Sequence, residues 1–109
     1  MNGEISVWTV VGYIGDIPRL GARVVVTPAM DIALFRTADD RVFALDDRCP
    51  HKTGKLSQGI VHGRSVTCPL HNWVIGLADG KAKDPDEGCT RIVPVRLEDG
   101  RILLAVGRA

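Results

Sequence analysis

Residues 49–71 read CPHKTGKLSQGIVHGRSVTCPLH, and this stretch decides how the rest of the chain is read. It holds two of the three cysteines and two of the three histidines, in two short clusters, Cys49-Pro-His51 and Cys68-Pro-Leu-His71. Thiolate and imidazole together suit zinc or an iron–sulfur cluster. Zinc fingers usually group their ligands by type, a Cys pair and then a His pair, whereas here each cluster offers one of each. A [2Fe-2S] centre in which one iron takes two Cys and the other two His needs that supply. Two like loops facing each other across such a cluster would each give one ligand to each iron. Zinc in the same ligands, and a buried thiol pair beside incidental histidines, are the competing readings.

Working outward, the chain shows strands and turns. Residues 5–14, 22–27, 31–37 and 41–46 are rich in β-branched and apolar residues and read as strands, the third and fourth paired as a hairpin. Shorter strands are expected at 59–63, 65–68 and 73–77. Residues 91–98 and 101–106 flank Asp99-Gly100 and form a closing hairpin. Residues 81–88, KAKDPDEG, are a polar loop. No segment keeps a helical period, and there is no internal repeat. The expectation is an all-β antiparallel sandwich or small barrel. It forms a single domain over 1–109, with a cluster-binding subdomain at about 47–88 inserted between strands of a base that joins both ends.

Size and composition narrow the function. One hundred and nine residues suffice for one small domain, in which a metal centre can add to stability. The net charge of +1 does not suggest a nucleic-acid partner or an anionic membrane surface. No apolar run is long enough to span a bilayer. Residues 1–18 carry an acid where a signal peptide has its basic region. Few cysteines in a metal-type pattern argue for a reducing compartment over a disulfide framework, so the chain reads as cytoplasmic.

Single residues are weighed in the same way. Pro50 and Pro69 each follow a cluster Cys and stiffen its loop. Gly54, Gly59 and Gly63 permit turns and close backbone approach. His62 reads as a solvated loop residue and Cys89 as a small buried hydrophobe. Trp8 and Trp73 read as core, although Trp73 and Leu70 could also shield a cluster or form a docking patch. The acidic Asp84–Glu87 segment reads as a solvated loop.

CPH, sixteen residues and then CPLH resembles the C-x-H…C-x-x-H signature of Rieske [2Fe-2S] proteins, and the likeness extends over nearly the whole chain. The resemblance implies that Cys49, His51, Cys68 and His71 hold a [2Fe-2S] cluster and that the chain carries electrons. Two thiolates and two neutral imidazoles leave the oxidised cluster uncharged, which raises its potential above that of all-Cys clusters. High-potential members carry an extra Cys in each loop, and the matching positions here are Gly54 and Leu70. They also usually have a Ser close after the last His, where this chain has Asn72 and Trp73. The resemblance is therefore to the low-potential, ferredoxin-like group, with a potential of roughly −150 mV. Rieske oxygenases need a further domain with a mononuclear iron, for which these residues leave no room.

The segments LSQGIVHG, CPLHNWVI and PDEGC resemble the small subunit of the NAD(P)H-dependent nitrite reductase of nitrate assimilation. That resemblance implies a large partner subunit carrying FAD, a [4Fe-4S] cluster and sirohaem, which reduces nitrite to ammonium. Turnover by this chain alone is not expected. Two alternatives stand beside it. One is a separate Rieske ferredoxin serving an aromatic-ring dioxygenase. The other is a structural or regulatory subunit whose cluster lies off the electron path.

Overall fold

A computed structural model of the chain describes residues 7–28, 30–49, 54–69, 72–83 and 87–106. The strands are β1 (Val7–Tyr13), β2 (Ala22–Val26), β3 (Asp31–Arg36), β4 (Val42–Asp46), β5 (Ile60–His62), β6 (Ser65–Thr67), β7 (Val74–Gly76), β8 (Ile92–Val93), β9 (Val95–Glu98) and β10 (Arg101–Val106). They form three antiparallel sheets, ordered β1-β10-β9, β2-β3-β4-β8 and β5-β6-β7. The expected all-β class is what the chain adopts, with open sheets instead of a closed barrel among the described residues. Two short 3₁₀ turns, Ile14–Asp16 and Leu56–Gln58, complete the elements. No helix among the described residues is long and apolar enough to cross a membrane.

The apolar run in β3 explains the layering. Successive strand side chains point to opposite faces. Ile32 and Leu34 enter one core with Ile17, Val42, Ala44, Val93, Ile102 and Leu104. Ala33 and Phe35 enter a second core with Leu45, Leu56, Val61, Val66 and Ile75. The β2-β3-β4-β8 sheet is thus the middle layer, covered by the β1-β10-β9 sheet on one face and the β5-β6-β7 sheet on the other. A strand buried on both faces needs a continuous apolar run, and Ile32-Ala33-Leu34-Phe35 supplies it.

The two ends of the chain meet in β1 and β10, paired from Val7↔Val106 to Tyr13↔Arg101. The β9–β10 turn places Asp99 at φ 54 and Gly100 at φ 79. Positive φ at both central residues is what a two-residue hairpin loop requires, and an Asp-Gly pair tolerates it.

Three expectations need correction. Residues 91–98 are two strands, not one: β8 pairs with β4 and β9 with β10. Pro94 separates them, because it has no N–H to donate to a ladder. Trp8 is 39% exposed, not core. It lies opposite Ala105, on the face turned away from Ile102 and Leu104, and the Arg96 guanidinium lies 5.1 Å from its ring centre. Cys89 is exposed, and it pairs with Lys81 at the surface through an isolated bridge.

Candidate metal centre

Cys49 leaves the end of β4 and Cys68 leaves the end of β6. Each begins a loop closed in the same way. The Cys49 N–H donates to the Gly54 carbonyl at 2.8 Å, and the Cys68 N–H donates to the Trp73 carbonyl at 2.7 Å. Both bonds span five residues, so the two loops are closed over the same length of chain. Both thiols are buried, Cys49 at 2% and Cys68 at 0% exposure. They belong to the same apolar cluster, between the middle sheet and the β5-β6-β7 sheet. Neither is half of a disulfide. Trp73 packs, half-buried, against that cluster.

The sequence therefore brings two of its four candidate ligands into one place. His51 and His71 lie outside the described residues, as do Pro50, Leu70 and Asp84–Asp86. Among the described residues no group of three or more Cys, His, Asp or Glu gathers. His62 is exposed in β5, its Nε2 2.6 Å from Thr67 Oγ1. Glu87 is exposed, as a solvated loop requires.

Close backbone packing sets the second loop. A Cβ on Gly59 would stand 2.2 Å from the Thr67 carbonyl oxygen, so only glycine lets β5 reach the residue before Cys68. Asn72 turns the chain back through φ 57, and Trp73 then presents its carbonyl to Cys68. Asparagine is among the few non-glycine residues that enter this region readily.

The first loop is held by a pair that sequence reasoning missed. Asp47 is buried, and its Oδ1 accepts the Ser57 N–H while its Oδ2 accepts the Ser57 hydroxyl, both at 2.7 Å. Asp47 lies just before the loop and Ser57 just after it. The signal was a polar residue two positions before Cys49, but spacing alone does not show which residue it meets.

The family model for the Rieske [2Fe-2S] domain matches residues 7–95. The chain belongs to the Rieske [2Fe-2S] domain family. It is 33% identical over 107 residues to the anthranilate 1,2-dioxygenase ferredoxin subunit of Burkholderia cepacia, covering 97% of this chain and 98% of that one. It is 40% identical over 94 residues to the 3-phenylpropionate/cinnamic acid dioxygenase ferredoxin subunit of Photorhabdus laumondii, covering 84% and 87%. A solved chain from Mycobacterium tuberculosis, assigned as an NADH-dependent nitrite reductase small subunit, superposes with a TM-score of 0.85. It is 26% identical, with 97% and 100% of the two chains covered.

A Rieske domain implies a [2Fe-2S] cluster and electron transfer within an oxidoreductase system. Rieske chains of this size are found as components beside larger oxidoreductase or oxygenase subunits.

Proposed function

We propose that this chain is the electron-transfer small subunit of a cytoplasmic NAD(P)H-dependent nitrite reductase, reducing nitrite to ammonium in nitrate assimilation. Its cluster ligands are Cys49 and Cys68 on one iron and His51 and His71 on the other. The fit to the group rests on the two buried thiols, which sit in one apolar cluster at the base of two loops of like closure. Thiolate is the ligand that an iron–sulfur centre requires, and an apolar shell limits solvent access to it. When bound, the cluster takes up and releases one electron at a time. The chain's own part is to hold the four side chains, exclude water and present one end of the domain to a partner. In this reading residues 47–88 are the cluster-binding part of a single domain.

The single observation that carries the nitrite reductase reading is the likeness to the solved Mycobacterium tuberculosis chain assigned as such a small subunit, at 26% identity and a TM-score of 0.85. The segments LSQGIVHG, CPLHNWVI and PDEGC support it. The partner is then a large sirohaem flavoprotein that also holds FAD and a [4Fe-4S] cluster. The test is reconstitution with such a large subunit, reading nitrite-dependent NAD(P)H oxidation and ammonium formed. A stable complex whose turnover depends on this chain is expected. A large subunit that neither binds the chain nor responds to it overturns the reading.

A second reading has its own support in the 33% identity to a dioxygenase ferredoxin over nearly all of both chains. Under it, the reduced chain donates electrons to a ring-hydroxylating oxygenase. Stopped-flow oxidation of the reduced chain by each candidate partner separates the two. A third reading, a cluster off the electron path, predicts full nitrite turnover by a folded, cluster-free Cys68→Ser subunit.

A further inference from the structure

Two carboxylates in the turn between β3 and β4 gather four guanidiniums. Asp40 accepts from Arg19 at 2.8 and 3.0 Å and from Arg36 at 3.1 and 2.9 Å. Asp39 accepts from Arg41 and from Arg64, each at 3.3 Å. Positive charge therefore outnumbers negative in this patch, and the nearby Asp16 is already matched by Arg23. Arg36 is largely buried and also donates to the Ile14 and Ile17 carbonyls, which is work inside the fold. The side chains of Arg19, Arg41 and Arg64 are each more than half exposed. Ion pairs so exposed add little stability, so holding the turns together does not account for three of them.

A second observation lies beside Arg19. Leu20 has φ 61, in the left-handed region that leucine enters only at a steric cost. Its turn is locked in place: the Leu20 N–H donates to the Arg36 carbonyl at 2.8 Å, and the Arg36 N–H donates to the Gly21 carbonyl at 3.1 Å. Glycine would take up that conformation freely. The chain instead holds an apolar side chain there, 47% exposed. Strain kept at an exposed position points to a use outside the fold. Exposed arginines beside an apolar side chain are also the composition of a protein-binding surface.

The patch lies away from the cysteine loops. The turn precedes β4 and Arg64 precedes β6, whereas Cys49 and Cys68 follow those strands. The five residues of β4 place the turn about 16 Å from the start of the first loop. A partner held at the turn leaves both loops uncovered. A guanidinium fork matches a carboxylate through two parallel hydrogen bonds, so the complementary surface is acidic.

We propose that Leu20 with Arg19, Arg41 and Arg64 forms a docking surface for an acidic patch on the larger redox partner. The domain is then anchored by the end away from its ligand loops, and attachment and electron delivery use separate surfaces. This rests on the reading above that the partner is the large nitrite reductase subunit.

The test is calorimetric titration of the full chain and its variants with that large subunit, at low and high salt. Each variant is first checked for its melting temperature, its iron and the Rieske electron paramagnetic resonance (EPR) signal. Replacing two arginines together, Arg19→Gln with Arg64→Gln, is expected to weaken binding about tenfold or more. The remaining affinity should depend less on salt. Leu20→Gly is expected to weaken binding while melting close to the wild type, a split that a role confined to the fold would not give. Arg96→Gln removes a charge on the β1-β10-β9 sheet, and is expected to bind as the wild type does. Either patch variant binding as tightly as the wild type overturns the inference. So does an equal loss in Arg96→Gln, which would mark a bulk charge effect, or a loss confined to Arg48→Gln and Lys55→Gln, the exposed cations flanking the first loop. If the double variant does not fold, Leu20→Gly decides. A wild-type chain that does not bind the large subunit overturns the inference together with the reading beneath it, whereas wild type and patch variants binding alike overturn the inference alone.

Discussion

Gly59 lies flat against Thr67: a Cβ on Gly59 would stand 2.2 Å from the Thr67 carbonyl oxygen and 3.0 Å from Val66 Cγ2. The carbonyl is backbone and cannot swing aside as a long side chain would. Moving it moves Cys68, the next residue. Gly59→Ala is therefore expected to destabilise the domain by about 1–3 kcal/mol, the usual cost of overpacking. It should also reduce the iron bound per chain. Gly15→Ala is the control, because nothing lies within 4 Å of its Cβ position. That change should stay within about 0.5 kcal/mol. Thermal melts of the two variants side by side make the check, and equal melting temperatures would contradict the close approach.

Substituting the cysteines one at a time separates ligand from bystander. Cys49→Ser and Cys68→Ser are each expected to lose the cluster, since both thiols are buried in the same apolar site. Cys89→Ser is expected to keep it, because Cys89 is exposed and paired by a bridge to Lys81 at the surface. His51→Ala and His71→Ala should behave like the first two. The measurement is low-temperature EPR of the reduced protein. A Rieske centre gives a rhombic signal with average g below that of all-Cys [2Fe-2S] clusters, and zinc gives none. Stripping the metal from the wild type should lower its melting temperature, because binding energy at such a site is folding energy. An apoprotein as stable as the loaded protein would mean that the loops are held by their hydrogen bonds alone.

Much of this was legible in the sequence, for physical reasons. Scarce residue types in two like clusters, Cys49-Pro-His51 and Cys68-Pro-Leu-His71, mark a pair of loops whatever lies between them. Asp99-Gly100 between apolar runs allows little but a tight hairpin. Trp8 was misread because alternation tells that a strand has two faces and not which one is covered. The break at Pro94 was readable in principle, since proline interrupts a ladder, but its consequence was not. The chain changes sheets there, and only the partners β4 and β10 reveal it. Asp47 and Ser57 are ten residues apart with no periodic relation, so their pairing exists only in the fold. Cys89 follows the same logic: its exposure depends on which strand lies beside it.

The turn joining β3 to β4 is an ionic hub, and it should show in acid. The hydrogen bond from Arg19, then that from Arg36, hold the Asp40 carboxyl well below the usual carboxylate range. Arg36, 15% exposed, also donates to the Ile14 and Ile17 carbonyls at 3.0 and 2.8 Å. A lowered folded-state value means that the contribution of Asp40 is fully present above the unfolded value, about 3.9. It is lost as pH falls through the folded one. The stability difference between wild type and Asp40→Asn should be constant from about pH 7 to 5 and shrink below about pH 4. The Asp40 side chain is 43% exposed, so the difference should also fall with added salt. Arg36→Met should cost more, about 1–3 kcal/mol, because the Ile17 carbonyl loses the Arg36 donor and the Ile14 carbonyl keeps only the Ile17 N–H. Urea melts across that pH range test both. A difference that grows toward acid would have the wrong sign.

Asn72 offers the sharpest test of the second loop, because it bears on backbone shape and not on ligand chemistry. Its φ of 57 is left-handed, and the residue after it closes the loop through the 2.7 Å bond from the Cys68 N–H to the Trp73 carbonyl. Glycine enters that region without penalty, so Asn72→Gly should bind iron as the wild type does, with only a small loss of stability. A β-branched residue pays the full steric cost there, about 1–2 kcal/mol. Asn72→Val should therefore melt lower and release its cluster faster on exposure to chelator. The side chain of Asn72 is exposed, so lost packing cannot explain such a result. If glycine and valine released iron at equal rates, the loop would not depend on this turn, and the shared closure of the two cysteine loops would not be what holds the metal.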